Sequence, residues 1–489
     1  MDIQENQLKK SFKITFIIPS VLIGKRAAER VSGCTYTIYP VPNIYELTVV
    51  TVIEKNGFEV DYVDSVLNNW KEKDFVDFIK KDQSNIYSIW AVNLSKENDL
   101  VAHSIIRKLK PTIPIIFMGP APTFFIDEFL PDESTYIVRG EPEYTTLELI
   151  QGFSRNLDVS NIKGISFKKD GKVINSPSRE PISNLDSLPF PARHLINKNK
   201  YHNPKLKNSP YTPVVTSRNC PHQCIYCVPS SLTFAREIEF KRDHGRKPPV
   251  RLRSAENVIE ELKILKEQGY KSISFQDDLF IQSKERTKKI CSALKELDFV
   301  WGCQSRADKL DEEIVKTMAD SGCKYVDIGV ESFDQKILDY VKKGTTVETN
   351  VKAIKLLKKY GIAAKINVLF GTSPLETKET IDNTYKMIRE LDADQVMFNI
   401  VSPFPGTEFY NIVRDNDWFI DGDYKSVDVQ KRAITSFPNL SKEEMEKAVF
   451  IGNLKFYLSP KFIIRNITKF QTYGDFYTSL KGLYRKLLP

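Results

Sequence analysis

No run in this sequence approaches the ~18 consecutive apolar residues that cross a bilayer. The amino terminus carries Asp2 and Glu5 where a secretory leader is positively charged, and the apolar stretch after it is cut by Lys13 and Pro19. The expectation is a chain with neither a membrane span nor a signal peptide. Cysteine is sparse and odd in number (Cys34, Cys220, Cys224, Cys227, Cys291, Cys303, Cys323), which argues against a disulfide framework and for a reducing, cytoplasmic compartment. A strong excess of one charge is missing too. With 71 Lys+Arg against 63 Asp+Glu the net charge is +8 over 489 residues, too little to announce a nucleic-acid binder. Internal repeats and low-complexity tracts are also lacking. What is present, 41% hydrophobic and 27% charged residues, is the composition of a globular chain, and the length is about three times the ~150-residue prior for one domain, so two or three domains are expected.

Apolar, β-rich runs at 13–18, 58–63, 87–92, 113–118 and 136–138 alternate with helical stretches. Near-continuous apolar strands separated by helices mean a parallel sheet covered on both faces, hence an open Rossmann-like domain over 1–153 with ligands at the carboxyl ends of its strands. Those ends carry Asn93, Gly119 and Gly140, where glycine lets a ligand approach the backbone. Residues 154–210 are rich in proline, with an Asp170-Gly171 turn, and read as a small hairpin and a linker. From Tyr211 a second alternation begins, with strands near 214–217, 272–276, 299–303, 325–330, 364–370 and 395–401. Helices are predicted over 254–268, 283–297 and 347–360. In the first of these Ser254 is placed to cap, Val258, Ile259, Leu262 and Leu265 form one stripe, and Gly269 ends the run. Six βα units over 211–406 predict a partial barrel with its reactive groups at the strand carboxyl ends, followed by a small, mainly helical region over 407–489.

Cys220-Pro-His-Gln-Cys224-Ile-Tyr-Cys227 directly follows the first strand of the second series. Three thiolates within eight residues of one strand-end loop are ligands for an iron–sulfur cluster, and a count of three leaves one iron open to a substrate or cofactor. A zinc knot or a plain cluster of reduced thiols is the alternative, and His222 has the wrong neighbours for a zinc-finger spacing. The other four cysteines stand singly among apolar neighbours, as buried packing residues do, although Cys34 lies in the opening loop of the first sheet and could face a ligand.

At this point the chain resembles the radical S-adenosylmethionine (SAM) enzymes, and within them the branch that carries a cobalamin-binding domain. Ser217-Arg-Asn-Cys220 with Cys224 and Cys227 is similar to that family's cluster loop, with Asn219 where glycine is common. Asp277-Asp278, Gly329-Val-Glu331-Ser332, Phe370-Gly371 and Pro403-Phe-Pro405-Gly406-Thr407 stand at strand ends where the branch has recurrent patterns. Val138-Arg-Gly-Glu141-Pro-Glu143 and Leu185-Asp-Ser-Leu-Pro-Phe-Pro191-Ala-Arg193 are similar to its domain-joining segments. The resemblance covers nearly the whole chain. It implies a [4Fe–4S] cluster on Cys220, Cys224 and Cys227 whose open iron is chelated by SAM, with a reduced flavodoxin or ferredoxin as electron donor. It further implies Asp277 or Asp278 as acceptor for the SAM ammonium, Glu331 for the ribose or ammonium, Tyr226 beside the adenine, Gly371 at the adenine or methionine part, and Arg306 for the carboxylate. Each has a duller reading, since strand-end aspartates often cap and arginines often form surface ion pairs.

Cobalamin is expected in the first domain by the same resemblance, with Asn93, Gly119 and Gly140 on the loops facing the corrin. The histidine-ligating signature Asp-x-His-x-x-Gly is absent; His103, the only histidine before His194, reads as a helix-surface residue. The reaction implied is functionalisation of an unreactive carbon in a small-molecule or lipid substrate, foremost by methyl transfer. Ring formation, rearrangement or carbon–carbon joining is the alternative, and a silent iron–sulfur scaffold the third. From Lys455 onward aromatics interleave with lysine and arginine, Asp475 being the only acid. Such a tail either packs on the barrel rim or makes a peripheral contact with an anionic membrane, and no stacking motif points to nucleic acid.

Overall fold

The computed structural model describes residues 12–24, 26–206 and 208–467. Asp2, Glu5 and the tail residues Lys469, Phe470, Tyr473, Asp475, Phe476, Tyr477, Lys481, Arg485 and Lys486 lie outside the described residues. Two compact units divide the chain, one comprising 1–221 and 228–278, the other 222–227 and 279–489.

In the first unit, β1 (Lys13–Ile18), β2 (Glu59–Asp64), β3 (Ile86–Trp90), β4 (Ile115–Met118), β5 (Thr135–Val138), β6 (Ile165–Lys169) and β7 (Lys172–Asn175) form one sheet in the order β2-β1-β3-β4-β5-β6-β7. The first five strands are parallel, as the unbroken apolar runs predict. Side chains alternate between the two faces. Ile14 and Phe16 pack with Leu47, Val50 and Leu149 of helices Ile44–Lys55 and Pro142–Ser154. Ile17, Ile89 and Phe117 pack with Phe75, Ile79 and Ile106 of helices Glu72–Lys81 and Lys96–Leu109. Each such fully buried side chain contributes roughly 1.5–3 kcal/mol, which fixes the register of every strand. The small hairpin expected before the linker extends the sheet: β6 pairs antiparallel with β5, and β7 with β6. Ser166 on β6 receives a hydrogen bond from Arg139 at the end of β5 (3.0 Å).

His103 also differs from expectation. It is buried, with Nε2 2.8 Å from the Thr135 hydroxyl of β5 and its ring 5.7 Å from that of Phe117. The helix Lys96–Leu109 turns this position toward the sheet, and burial lowers its pKa to about 4, so at neutral pH it is an uncharged core residue.

The βα series starts in the same unit with β8 (Tyr211–Val214), the short antiparallel ribbon β9 (Ser217–Arg218) and β10 (Arg251–Leu252), and β11 (Ser272–Phe275), which runs parallel to β8. The first strand ends at Val214 rather than continuing to 217. The Thr216 N–H and the hydroxyls of Thr216 and Ser217 all donate to Asp277 Oδ1, which draws the chain out of the sheet. In the second unit β12 (Val300–Ser305), β13 (Cys323–Glu331), β14 (Ala363–Phe370) and β15 (Gln395–Ile400) are parallel in chain order, with helices Glu312–Asp320, Val347–Lys359 and Lys378–Leu391 between them. Local chemistry sets their starts. Ser254, Ser283 and Thr346 each accept from the backbone N–H three residues on, an N-cap contribution of ~1 kcal/mol apiece. Helices Glu408–Asp415, Lys442–Tyr457 and Pro460–Ile467 form the carboxyl-terminal part. No helix among the described residues is long and apolar enough to cross a membrane.

Candidate active site

The cysteine loop is held at its centre. Ile225 is buried, its N–H donates to the Val341 carbonyl (3.2 Å), and its own carbonyl accepts from Phe409 N–H (3.0 Å). Cys220, Cys224 and Cys227 are half-buried, whereas Cys291, Cys303 and Cys323 are buried. That separates the loop thiols from the packing thiols by environment as well as by spacing. Cys34 is half-buried in the opening loop, and burial reinforced by Glu29 raises its pKa to about 11, the opposite of an activated thiolate. Among the described residues no three His, Cys, Asp or Glu side chains surround a single metal-ion position. Thiolates of an iron–sulfur cluster each take their own iron. Burial, reinforced by Arg306, lowers His222 to about 4 and keeps it neutral.

In the same unit Tyr226, Glu331 and Lys343 are brought together. β13 carries a bulge between Gly329 and Glu331, and Glu331 has φ +64°. Its carboxylate accepts from Lys343 Nζ at 2.7 Å, both side chains being buried. A Cβ at Gly329 would press on Glu331 Oε1 and stand 2.8 Å from Lys343 Nζ, so the ion pair lies over the glycine. Burial opposes the charge on Lys343, but Glu331 holds its pKa above the ordinary value. Tyr226 is half-buried, with its hydroxyl buried on the side of Glu331. Burial, with Glu331, Cys224 and Cys227 adding to it, pushes its pKa well up and keeps it protonated.

The remaining predicted residues divide. Asp278 in the first unit accepts from Ser230 N–H (2.7 Å) through Oδ1, its Oδ2 is buried, and burial raises its pKa. Asp277 instead straps Thr216 and Ser217 in place, as described above. Arg306 is engaged by its own unit: it donates to Asp308 (2.9 Å) and to the carbonyls of Lys343 (2.7 Å) and Gly344 (3.0 Å). Two of a guanidinium's five donors are thereby fixed on the segment that carries Lys343, and a third on Asp308.

Three of the predicted glycines share one feature. All have positive φ, but the space beside each is filled by protein. A Cβ would lie 2.5 Å from the Ala91 carbonyl at Gly119, 2.3 Å from Glu239 Oε2 at Gly140, and 2.4 Å from Met445 Sδ at Gly371. These glycines admit neighbouring segments of the chain. Asn93 is buried at the start of the turn Asn93–Ser95. Sequence reasoning missed two residues. Lys343 is one. Glu376 is the other: it is buried and accepts from the N–H groups of Gly371 (2.9 Å) and Thr372 (2.8 Å) and from the Thr372 hydroxyl (2.6 Å), while burial raises its pKa to about 7. The signal was present, a glutamate five residues beyond the strand-end glycine.

A Rossmann-like sheet followed by a βα series whose first strand leads into a three-cysteine loop defines an α/β enzyme with its chemistry at the strand carboxyl ends. Residues 214–388 match the family described as the radical SAM superfamily, whose members work with SAM and a [4Fe–4S] cluster. The chain is 31% identical to an uncharacterized methyltransferase of Pyrococcus horikoshii, over 97% of this chain and 99% of the relative. It is 26% identical, over 73% of this chain and 63% of the relative, to the anaerobic magnesium-protoporphyrin IX monomethyl ester cyclase of Rubrivivax gelatinosus. Among solved structures it is similar to the cobalamin-dependent SAM radical enzyme OxsB, with a TM-score of 0.71 and 17% identity over 98% of this chain and 71% of that one. The chain belongs to the radical SAM superfamily, and its fold is that of the members with an amino-terminal domain of the cobalamin-binding type.

Proposed function

We propose that this enzyme uses SAM, a [4Fe–4S] cluster and cobalamin to methylate an unactivated carbon. The observation that carries the reading is the loop segment 222–227, anchored through Ile225, with Tyr226 and the Glu331–Lys343 pair gathered in the same unit. The similarity over full length to a methyltransferase supports the reaction type. Cys220, Cys224 and Cys227 would hold the cluster. When bound, the cluster supplies the electron that cleaves SAM and cobalamin supplies the methyl group. Glu331, oriented by Lys343, would accept from the ribose or ammonium of SAM, and Asp278 Oδ2 would accept from the ammonium. Tyr226, protonated, would lie against the adenine.

For cobalamin the residues present fit. At the carboxyl end of the first sheet, Ser20, Asn43, Glu46, Tyr62 and Ser65 bury polar atoms that lack a well-formed hydrogen bond. Glu46 is fully buried beside Tyr62, Asp64 and Arg30, and burial raises its pKa to about 8. A neutral carboxyl, a phenol, two hydroxyls and an amide match the carboxamide-rich periphery of a corrinoid, and buried polar groups of this kind are costly unless bonded. The cobalamin-binding segment would be 1–153 and the barrel 211–406, with a small-molecule or lipid substrate and a flavodoxin or ferredoxin as partners. The exposed Phe450, Leu458, Ile463 and Ile464 of the last helices, with Lys461 beside them, support a peripheral contact with an anionic membrane.

Anaerobic purification with iron, sulfide and corrinoid analysis, followed by incubation with methyl-labelled SAM and reductant, tests the reading. Label in a product together with 5′-deoxyadenosine is the expected result, and absence of iron or of any corrinoid retained after gel filtration overturns it. The second reading, ring formation, is favoured by the similarity to the cyclase and predicts 5′-deoxyadenosine without label in the product.

A further inference from the structure

The chain enters the cysteine loop through a ribbon whose charges do not balance by themselves. β9 and β10 set Arg218 directly opposite Arg251, and like charges across a strand pair repel. Two carboxylates from the end of the first sheet resolve this. Glu141 lies 3.3 Å from Arg218 and 2.6 Å from Arg251, it accepts a further bond from Arg251 at 2.9 Å and one from Ile182 N–H at 2.7 Å, and Glu143 pairs with Arg218. All four side chains are buried. Burial works against ionisation of Glu141, but Arg218 and Arg251 overrule it and hold its pKa at about 2. The ribbon is therefore charged, neutralised and rigid.

Arg251 also reaches the residue that matters for the loop. Its Nη2 donates to Asn219 Oδ1 at 2.8 Å. Asn219 is fully buried, has φ +73°, and its N–H donates to Thr233 Oγ1 at 3.4 Å. The left-handed conformation turns the backbone between the ribbon and Cys220. Asparagine tolerates it better than other residues with a Cβ, and a side-chain bond to a fixed arginine selects it.

We propose that Asn219, locked by Arg251 and the Glu141–Arg218–Glu143 network, is a positioning residue that aims Cys220 as a cluster ligand. This rests on the reading of the cysteine loop as a cluster site and adds to it the device that orients its first ligand. It divides two contributions that a single loss-of-function variant would merge: the left-handed backbone, which glycine can also adopt, and the side-chain bond to Arg251, which it cannot make.

The test uses the full-length protein, reconstituted anaerobically, with Asn219→Gly, Asn219→Ala and Arg251→Met. Iron per chain, the rate of iron loss to a chelator, the paramagnetic resonance of the reduced cluster and the thermal midpoint are read for each. Asn219→Ala must hold a strained left-handed residue, so its iron loss is expected to accelerate about tenfold, with a heterogeneous resonance. Asn219→Gly should restore most of the retention, with a resonance broader than wild type because the lock is gone. Arg251→Met should share that broadening. If the wild type holds no cluster, the reading of the loop itself fails. If the wild type holds one and Asn219→Ala matches it in retention rate and spectrum, or if all variants lose iron only in step with their thermal midpoints and glycine rescues nothing, the positioning role is overturned.

Discussion

Replacing Lys343 with methionine separates a carboxylate held for use from one that is merely buried. The pair it belongs to is 2.7 Å apart with side chains 9% and 8% exposed. Removing one partner of a buried ion pair costs roughly 3–5 kcal/mol, because the other charge is left without compensation. For a unit of about this size each kcal/mol moves Tm by about 2–4 °C, so Lys343→Met should lower the midpoint of unfolding by about 10 °C. The Glu331→Gln/Lys343→Met double variant loses both charges and should regain most of that stability. SAM binding should behave differently. If Glu331 accepts from the cofactor, losing that charged hydrogen bond weakens affinity by roughly ten- to hundredfold, in Glu331→Gln and equally in the stabilised double variant. Differential scanning calorimetry and equilibrium dialysis with labelled SAM, both anaerobic, make the comparison. A double variant that recovers SAM affinity along with stability would refute the ligand role and leave the pair as packing. An unchanged midpoint in Lys343→Met would refute the energetics.

Three further outcomes are expected. Replacing Cys220, Cys224 and Cys227 together with alanine should abolish iron and sulfide binding while leaving the far-ultraviolet dichroism intact, since the loop is anchored through the Ile225 backbone; retained iron contradicts the ligand assignment. Glu46 is neutral in the folded state up to about pH 8 but ionises near 4.5 when unfolded, so stability is full below 4.5 and falls as pH rises through 8, by roughly 5 kcal/mol at the limit; Glu46→Gln should remove most of that decline between pH 5 and 9 and weaken corrinoid retention, and denaturation curves that stay parallel to wild type would count against it. Gly371→Ala places a Cβ against Met445 Sδ at φ +77° and should lose about 1–2 kcal/mol from backbone strain plus the clash; Met445→Ala should relieve only the second part, and full recovery in the double variant would show that the backbone is unstrained.

What could be read from the sequence is what depends on local chemistry. The caps at Ser254 and Ser283 and the stripe through Val258, Leu262 and Leu265 are set by residues within one or two turns, and the helices fall where these predict. Parallel strands were legible because both faces are apolar. Three cysteines in eight positions are legible for the same reason: the spacing itself is the signal. Contacts between distant segments are not legible in this way. Lys343 meets Glu331 because β13 bulges and the chain returns through the helix Gln335–Tyr340, and nothing within the stretch 329–332 specifies that return. His103 sits on a helix whose polar and apolar positions leave its orientation open, and only the sheet behind it decides burial.

The strand-end patterns show how one signal divides into two uses. A glycine marks a place where something approaches the backbone, but at Gly119, Gly140 and Gly371 the approaching group is a carbonyl, a glutamate and a methionine of the same chain. An aspartate pair marks a place where donors converge: Asp277 Oδ1 takes three from Thr216 and Ser217, and Asp278 Oδ1 takes one from Ser230. In both cases residue type predicts the demand, close approach or strong acceptance, and packing decides whether the chain itself or a ligand meets it. Residues suited to receive a ligand are then those with a buried polar atom that lacks a well-formed hydrogen bond, among them the second oxygen of Asp278, the phenol of Tyr226 and the carboxyl of Glu46. A buried polar group without a partner costs about 1–3 kcal/mol, and a bound cofactor that bonds to these three groups recovers that cost as binding energy.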